Sequence, residues 1–142
     1  DVAGLVGANF AVAPGRMAAI GLSTGAYCAV RLAATDPAHV GAAIAIAGDN
    51  APDSPTLARG GGARTNDLRT LVAAGASPPV DLYVTATRQD GTTASDATAL
   101  AAAAGPGVTT TVRLRETGGH SWRVWAAMTA PALDWLGARE RA

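Results

Sequence analysis

The chain contains no lysine, a single cysteine and few aromatic residues. All eleven of its Lys and Arg residues are arginine, which excludes a lysine nucleophile or a lysine Schiff base. Cys28 has no second cysteine to pair with, so the sequence does not indicate a redox compartment. No apolar run reaches the ~20 residues of a membrane-spanning helix, and the sequence opens with neither a signal peptide nor Met.

Charge is both sparse and balanced. The 11 basic and 11 acidic residues give a formal net charge of zero, which argues against a nucleic-acid surface or a polybasic membrane patch. The 142 residues, 49% of them hydrophobic, suffice for one globular domain with one sizeable core. We therefore expect residues 1–142 to form a single domain.

Short apolar segments alternate with segments that favour helices. The predicted strands are residues 17–20, 42–47, 80–86 and 108–114. The predicted helices are residues 24–35, 67–74, 95–104 and 124–136. A loop is predicted around Gly60-Gly61-Gly62, and the polar–apolar alternation of the fourth strand is typical of a sheet edge. This order predicts an α/β fold with a parallel sheet of about four strands flanked by helices.

Gly21-Leu22-Ser23-Thr24-Gly25 matches the pattern Gly-x-Ser-x-Gly and lies between a predicted strand and a predicted helix. A sharp strand-to-helix turn exposes a serine oxygen, and its flanking glycines let strand and helix approach closely. The backbone N–H of Thr24 is then directed at a developing oxyanion. The simpler interpretation is a glycine-rich turn with a serine at the helix N-cap.

Two histidines are candidates for the base that a serine nucleophile requires. His39 follows a helix of about 18 Å that begins at Thr24, which predicts a position at the far end of the domain from Ser23. His120 follows the fourth strand, in Gly118-Gly119-His120, and so lies on the same carboxyl edge of a parallel sheet as Ser23. We predict His120 as the base, with an ordinary loop histidine as the alternative and Ser121 as the N-cap of the last helix.

The acid that orients His120 is predicted from the strand ends. Asp90 follows the third strand on the carboxyl edge and is the leading candidate. Asp96 is the alternative acid, although a Thr-x-x-Asp capping arrangement with Thr93 as N-cap also explains it. Asp49, after the second strand, is a weaker third candidate.

At these two motifs the chain resembles the Putative esterase family of the α/β-hydrolase fold, which includes esterase D-like enzymes and mycolyltransferases. The resemblance rests on the elbow segment, residues 16–27, and on the histidine loop with its following helix, residues 118–125 and 133–136. It implies Ser23 as nucleophile, His120 as base, Asp90 at the usual acid position and the Thr24 N–H at the oxyanion. It also implies a fold that matches the C-terminal part of an α/β-hydrolase.

The resemblance implies a serine hydrolase that cleaves a small-molecule carboxylic ester through a Ser-His-Asp triad and an acyl-enzyme, without a cofactor or metal. The alternatives are an acyltransferase of the same fold and a non-catalytic, truncated hydrolase module. Such proteins have several strands before the elbow, and about twenty residues precede Ser23 here. We therefore expect an N-terminally incomplete domain, completed by a missing segment or by a partner chain. Relatives include secreted, membrane-tethered and cytoplasmic proteins, so localisation stays open.

Overall fold

The computed structural model describes residues 2–10, 15–51 and 66–139. Within these ranges four strands and five helices follow one another as α1 Val2–Asn9, β1 Met17–Leu22, α2 Thr24–Thr35, β2 Val40–Ile46, α3 Leu68–Ala73, β3 Val80–Thr87, α4 Thr93–Ala102, β4 Val108–Arg115 and α5 Trp122–Arg139. The strands are parallel and lie in the order β1-β2-β3-β4. The predicted α/β fold with about four parallel strands flanked by helices is confirmed.

The differences from the predicted elements are small and local. Each strand extends one or two residues beyond at least one predicted end, and α5 is longer at both ends. The sequence does not predict α1, because its Gly4 and Gly7 are poor helix formers. The predicted loop at Gly60-Gly61-Gly62 lies outside the described residues.

Alternate residues of β2 face two different layers of helices. Ala43 and Ala45 pack in a core cluster with α2, α3 and α4, whereas Ile44 and Ile46 pack against α5. A strand that is covered on both faces needs apolar residues at every position, which explains the continuous apolar run in the sequence. Each fully buried isoleucine contributes about 1.5–3 kcal/mol to folding.

Helix α2 packs on the sheet through the stripe of small residues that its sequence predicts. The buried positions are Ala26, Ala29, Val30 and Ala33. The helix ends at Thr35, since residue 36 precedes Pro37 and proline disfavours the helical conformation of the residue before it. Because these side chains are small, α2 can pack closely on the sheet.

Because the strands are parallel, their carboxyl ends lie along one side of the sheet and their amino ends along the opposite side. Leu22 is paired with Ile46, and Thr87 with Arg115, so the loops after β1, β3 and β4 leave the sheet on one edge, the carboxyl edge. At the opposite edge the Met17 N–H donates to the His39 carbonyl oxygen at 2.8 Å. Residues that follow strands therefore meet at the carboxyl edge, away from His39.

Strand β1 has a neighbour on only one side among the described residues. Its Met17 and Ile20 side chains are exposed. No helix in the described part of the chain is long and apolar enough to cross a membrane.

Candidate active site

Ser23 occupies the sharp turn between β1 and α2. Its φ of 53° and ψ of −123° lie in a region that residues other than glycine rarely adopt. Two backbone bonds hold it there: the Ser23 N–H donates to the Ile46 carbonyl at 2.9 Å, and the Ser23 carbonyl accepts from the Ala26 N–H at 2.9 Å. The turn places the serine side chain at the carboxyl edge of the sheet.

Gly21 is the glycine that lets β1 and α2 come together. A Cβ atom at position 21 would lie 1.8 Å from the Gly25 carbonyl oxygen, far inside contact distance. At Gly25 nothing lies within 4 Å of the corresponding Cβ position. The expectation that both flanking glycines are needed for close approach is therefore right for Gly21 and wrong for Gly25, whose backbone is the surface that Gly21 meets.

Thr24 is the first residue of α2. The first N–H groups of a helix have no intrahelical acceptor, and they carry the positive end of the helix dipole. The N–H of the residue after Ser23 is thus available to an anionic oxygen at this position.

His120 lies between Ser23 and Asp90. Its Nε2 is 2.7 Å from Ser23 Oγ, and its Nδ1 is 2.8 Å from Asp90 Oδ2. The histidine side chain is 43% exposed and the aspartate 10%, so the serine end of the chain of contacts opens to solvent and the acid end is covered. The structure therefore brings together Ser23, His120 and Asp90, which the sequence predicted to lie at one edge of the sheet. Ser23 and His120 are 97 residues apart in the chain.

The histidine loop is fixed at Gly118 by two side chains that sequence reasoning did not identify. The Thr87 hydroxyl donates to the Gly118 carbonyl oxygen, and Gln89 Oε1 accepts from the Gly118 N–H at 3.0 Å. Gly118 has a φ of 123°, which a residue with a Cβ adopts only under strain. No spacing in the sequence marks Thr87 or Gln89, because their partner lies about thirty residues further along the chain.

Asp90 is held by a turn that also begins α4. Its N–H donates to the Thr87 carbonyl at 3.2 Å, and its own carbonyl accepts from the Thr93 N–H and from the Thr93 hydroxyl. Thr93 is the first residue of α4, and Thr92 takes the N-cap position without a side-chain cap. The predicted capping arrangement of Thr93 with Asp96 is therefore wrong by one residue.

The other two candidate acids bind elsewhere. Asp96 Oδ2 accepts from the Asn50 N–H at 3.2 Å, and the Asp96 carbonyl accepts from Asn50 Nδ2 at 2.8 Å. Asp49 accepts a long hydrogen bond, 3.5 Å, from the Thr92 hydroxyl. Neither carboxylate contacts His120 in the described part of the chain, so geometry separates Asp90 from both alternatives.

His39 lies at the amino edge of the sheet, as the length of α2 predicts. Its exposed ring contacts Asp36, with Nδ1 2.8 Å from Oδ1. It is therefore a surface residue far from Ser23.

Trp125 of α5 packs against His120, and Trp122 packs against Trp125. The ring of Trp125 meets the imidazole at a centroid distance of 4.7 Å and an interplanar angle of 87°, and Trp122 meets Trp125 at 5.0 Å and 73°. The sequence indicated Trp125, Met128 and Leu133 as one apolar stripe. The buried stripe instead continues from Met128 to Ala132, and Leu133 is exposed. Helical spacing identified Trp125 as a core residue but gave no signal of its contact with His120.

Over residues 2–10, 15–51 and 66–139, no group of three or more His, Cys, Asp and Glu side chains is arranged to hold a metal ion.

Known proteins share this architecture. The model of the family described as Putative esterase matches residues 1–136. Among solved structures, an S-formylglutathione hydrolase from Agrobacterium tumefaciens superposes with a TM-score of 0.76 at 22% identity, covering 94% of this chain and 53% of that one. A ferulic acid esterase superposes with a TM-score of 0.70 at 19% identity, covering 95% and 57%.

A further solved structure, a fluorophosphonate-binding serine hydrolase from Staphylococcus aureus, gives a TM-score of 0.68 at 15% identity, covering 94% of this chain and 60% of that one. The chain thus spans between half and two thirds of the length of these structures. Among curated proteins there is no significant match. The structural neighbours share the α/β-hydrolase fold with this chain.

Proposed function

The chain belongs to the Putative esterase family, and on that basis we propose that it is a serine hydrolase of small-molecule carboxylic esters. The observation that carries the proposal is the continuous series of contacts from Ser23 Oγ through His120 to Asp90 Oδ2, at 2.7 and 2.8 Å. A serine hydroxyl becomes a nucleophile when a base accepts its proton, and that base must be held in one orientation. Here His120 is the candidate base, and Asp90 is the candidate group that holds it in one orientation.

Acylation begins with attack of Ser23 Oγ on the ester carbonyl carbon while His120 Nε2 accepts the hydroxyl proton. Asp90 keeps the proton of Nδ1 in place, which leaves Nε2 as the acceptor and stabilises the imidazolium that forms. The carbonyl oxygen becomes an oxyanion, to which we assign the N–H of Thr24, the first residue of α2, as a donor.

Collapse of the tetrahedral intermediate breaks the bond between the acyl carbon and the leaving oxygen, and His120 Nε2 returns its proton to that oxygen. Water then attacks the acyl-Ser23 ester, with His120 again as base, and releases the carboxylic acid and the free serine. In a transferase an acceptor alcohol would replace this water. No observation on the described residues favours an acceptor, so hydrolysis is the proposed reaction.

A fluorophosphonate probe tests the proposal, because it bonds covalently to an activated serine and needs no knowledge of the natural ester. Mass spectrometry of the labelled chain is expected to locate the adduct on Ser23 and nowhere else. Ser23→Ala should abolish labelling. Ser121→Ala is the matched control, since Ser121 is adjacent to His120 in the sequence and should remain dispensable.

Hydrolysis of a short 4-nitrophenyl ester by the same variants is the second readout. Loss of both labelling and hydrolysis in Ser23→Ala, with retention in Ser121→Ala, is the expected result. A folded wild-type chain that is not labelled at Ser23 would contradict the proposal and would favour the non-catalytic alternative.

A further inference from the structure

The two hydrogen bonds of His120 restrain its ring incompletely. One partner lies at each nitrogen: the Ser23 hydroxyl donates to Nε2, and Asp90 Oδ2 accepts from Nδ1. The imidazole turns about its Cβ–Cγ bond, and because hydrogen-bond angles are broadly distributed, the two hydrogen bonds tolerate a range of ring orientations. Such a turn moves the Nε2 lone pair away from the serine proton, so the plane needs a third contact.

Trp125 supplies a contact of this kind. Its ring lies nearly perpendicular to the imidazole, at 87°, with centroids 4.7 Å apart. Edge-to-face pairs at this separation are an attractive geometry for aromatic rings. We propose that Trp125 is a positioning residue for His120, which fixes the plane of the imidazole; this rests on the function proposed above for the Ser23, His120 and Asp90 site.

Trp125 is itself held rigidly. Its side chain is 8% exposed and packs in the core cluster that contains Ile44, Ile46 and Met128. Its backbone N–H donates to the Ser121 carbonyl at 3.0 Å, and its carbonyl accepts from the Thr129 hydroxyl at 2.9 Å. The indole is therefore anchored on the sheet-facing side of α5. Its contact with His120 joins the hydrophobic core to the histidine loop.

Trp125 contacts His120 through its aromatic ring and not through a hydrogen bond of its indole nitrogen. Nε1 is buried and has no hydrogen-bond partner among the described residues. A buried donor without a partner is unfavourable, and a phenyl ring would avoid that penalty. Trp125→Phe consequently removes no hydrogen bond seen in the structure and keeps an aromatic ring, which makes it the conservative variant.

The test compares Trp125→Phe with Trp125→Leu and Trp125→Met in the full chain, with circular dichroism to establish folding. Leu and Met fill the space with apolar atoms but lack a ring, and Met adapts to irregular cavities if Leu does not fold. Trp135→Leu is the matched control, because Trp135 lies in the same helix and packs against Tyr83, with the two rings tilted by 51°.

Two readouts are measured. The first is the rate of fluorophosphonate labelling at Ser23, which should fall roughly 2- to 12-fold without the ring, the factor that corresponds to an aromatic pair. The second is the proton resonance of His120 Nδ1–H, which lies downfield while that proton is hydrogen-bonded to Asp90. It should broaden or disappear in the Leu and Met variants and persist in Trp125→Phe and Trp135→Leu.

Wild-type labelling and an unchanged resonance in a folded Leu or Met variant would overturn the inference. So would a Phe variant as impaired as they are, because the ring would then not be what matters. The resonance separates this inference from the proposed function. If the wild-type chain is not labelled, the esterase proposal fails, whereas the dependence of the His120 resonance on the Trp125 ring is still decided.

Discussion

The hydroxyl of Thr87 donates a hydrogen bond to the carbonyl oxygen of Gly118, and this bond joins the end of β3 to the loop that carries His120. Gln89 binds the N–H of the same glycine, while Asp90 binds the imidazole. One short segment after β3 therefore supplies both the carboxylate that contacts His120 and the clamp on its loop. Displacement of that segment would disturb all three contacts together.

Thr87→Val is expected to weaken this clamp. Thr87 is 1% exposed and Gly118 is half-buried, so the change leaves the Gly118 carbonyl without its donor and only partly open to water. The loss of a partner from a buried polar group costs about 1–3 kcal/mol. We expect a decrease of that size in the free energy of unfolding, measured by urea denaturation, and slower fluorophosphonate labelling of Ser23.

Thr85→Val is the control for this experiment. Thr85 is also buried in β3, but no hydrogen bond joins it to the histidine loop in the described residues. If both valine variants slow labelling equally, the Thr87 hydroxyl is not what holds the loop.

Gly21→Ala and Gly25→Ala are expected to have opposite effects on stability. An alanine Cβ at position 21 would meet the Gly25 carbonyl oxygen at 1.8 Å, which forces β1 and α2 apart and should cost about 3 kcal/mol or more. At position 25, inside α2, a Cβ meets nothing within 4 Å, and alanine should stabilise the helix by about 0.5–1 kcal/mol. Thermal unfolding of the two variants measures both effects. Equal destabilisation would contradict the assignment of the close approach to Gly21 alone.

The sequence predicted the edge at which the site lies because parallel strands follow a simple rule. Ser23, Asp90 and His120 each come directly after a strand or on the loop that follows one, and strand order places those positions together. The sequence could not predict Thr87, Gln89 or the contact of Trp125, since these depend on the path of the loop before α5. Loop conformation is set by individual contacts that are distant in sequence, and periodicity carries no information about them.

Asp90→Asn and Asp96→Asn separate the two leading candidate acids. At position 90 the amide can no longer favour the proton on Nδ1 as the carboxylate does, and analogous changes in serine hydrolases lower the rate about 10⁴-fold. At position 96 an amide oxygen still accepts from the Asn50 N–H, so labelling should change less than about twofold. The measurement is the second-order rate of labelling at Ser23. A larger loss in Asp96→Asn than in Asp90→Asn would reverse the assignment.

The capping pattern shows where short motifs mislead. Thr93 and Asp96 have the spacing of a capping box, yet Thr93 bonds back to the Asp90 carbonyl and α4 begins one residue earlier than the motif requires. The turn that holds Asp90 leads directly into α4 at Thr93, so the N-cap is Thr92 and Asp96 follows it by four residues instead of three.

Asp67 gives a prediction for the pH dependence of stability. It is the N-cap of α3, and its side chain accepts from the Arg69 N–H and from the Arg69 guanidinium, both at 2.9 Å. The side-chain hydrogen bond with Arg69 holds the pKa of Asp67 below its ordinary value, although partial burial opposes this. A carboxyl whose pKa is lower in the folded state stabilises the fold above its unfolded pKa, about 3.9, and this contribution is lost as the pH falls through the lowered value.

Asp67→Asn keeps an oxygen at the cap but removes the charge. It should lower the free energy of unfolding at pH 7 by about 0.5 kcal/mol, and the difference from wild type should shrink as the pH is lowered towards about 3. Asp67→Ala also removes the cap and should cost about 1 kcal/mol more, with a difference that persists in acid. Urea denaturation between about pH 3 and pH 7 measures both curves. Arg69→Gln should reproduce the pH-dependent part of the loss. If the difference in the free energy of unfolding between wild type and Asp67→Asn grows as the pH falls, its sign is wrong for a carboxylate stabilised by Arg69.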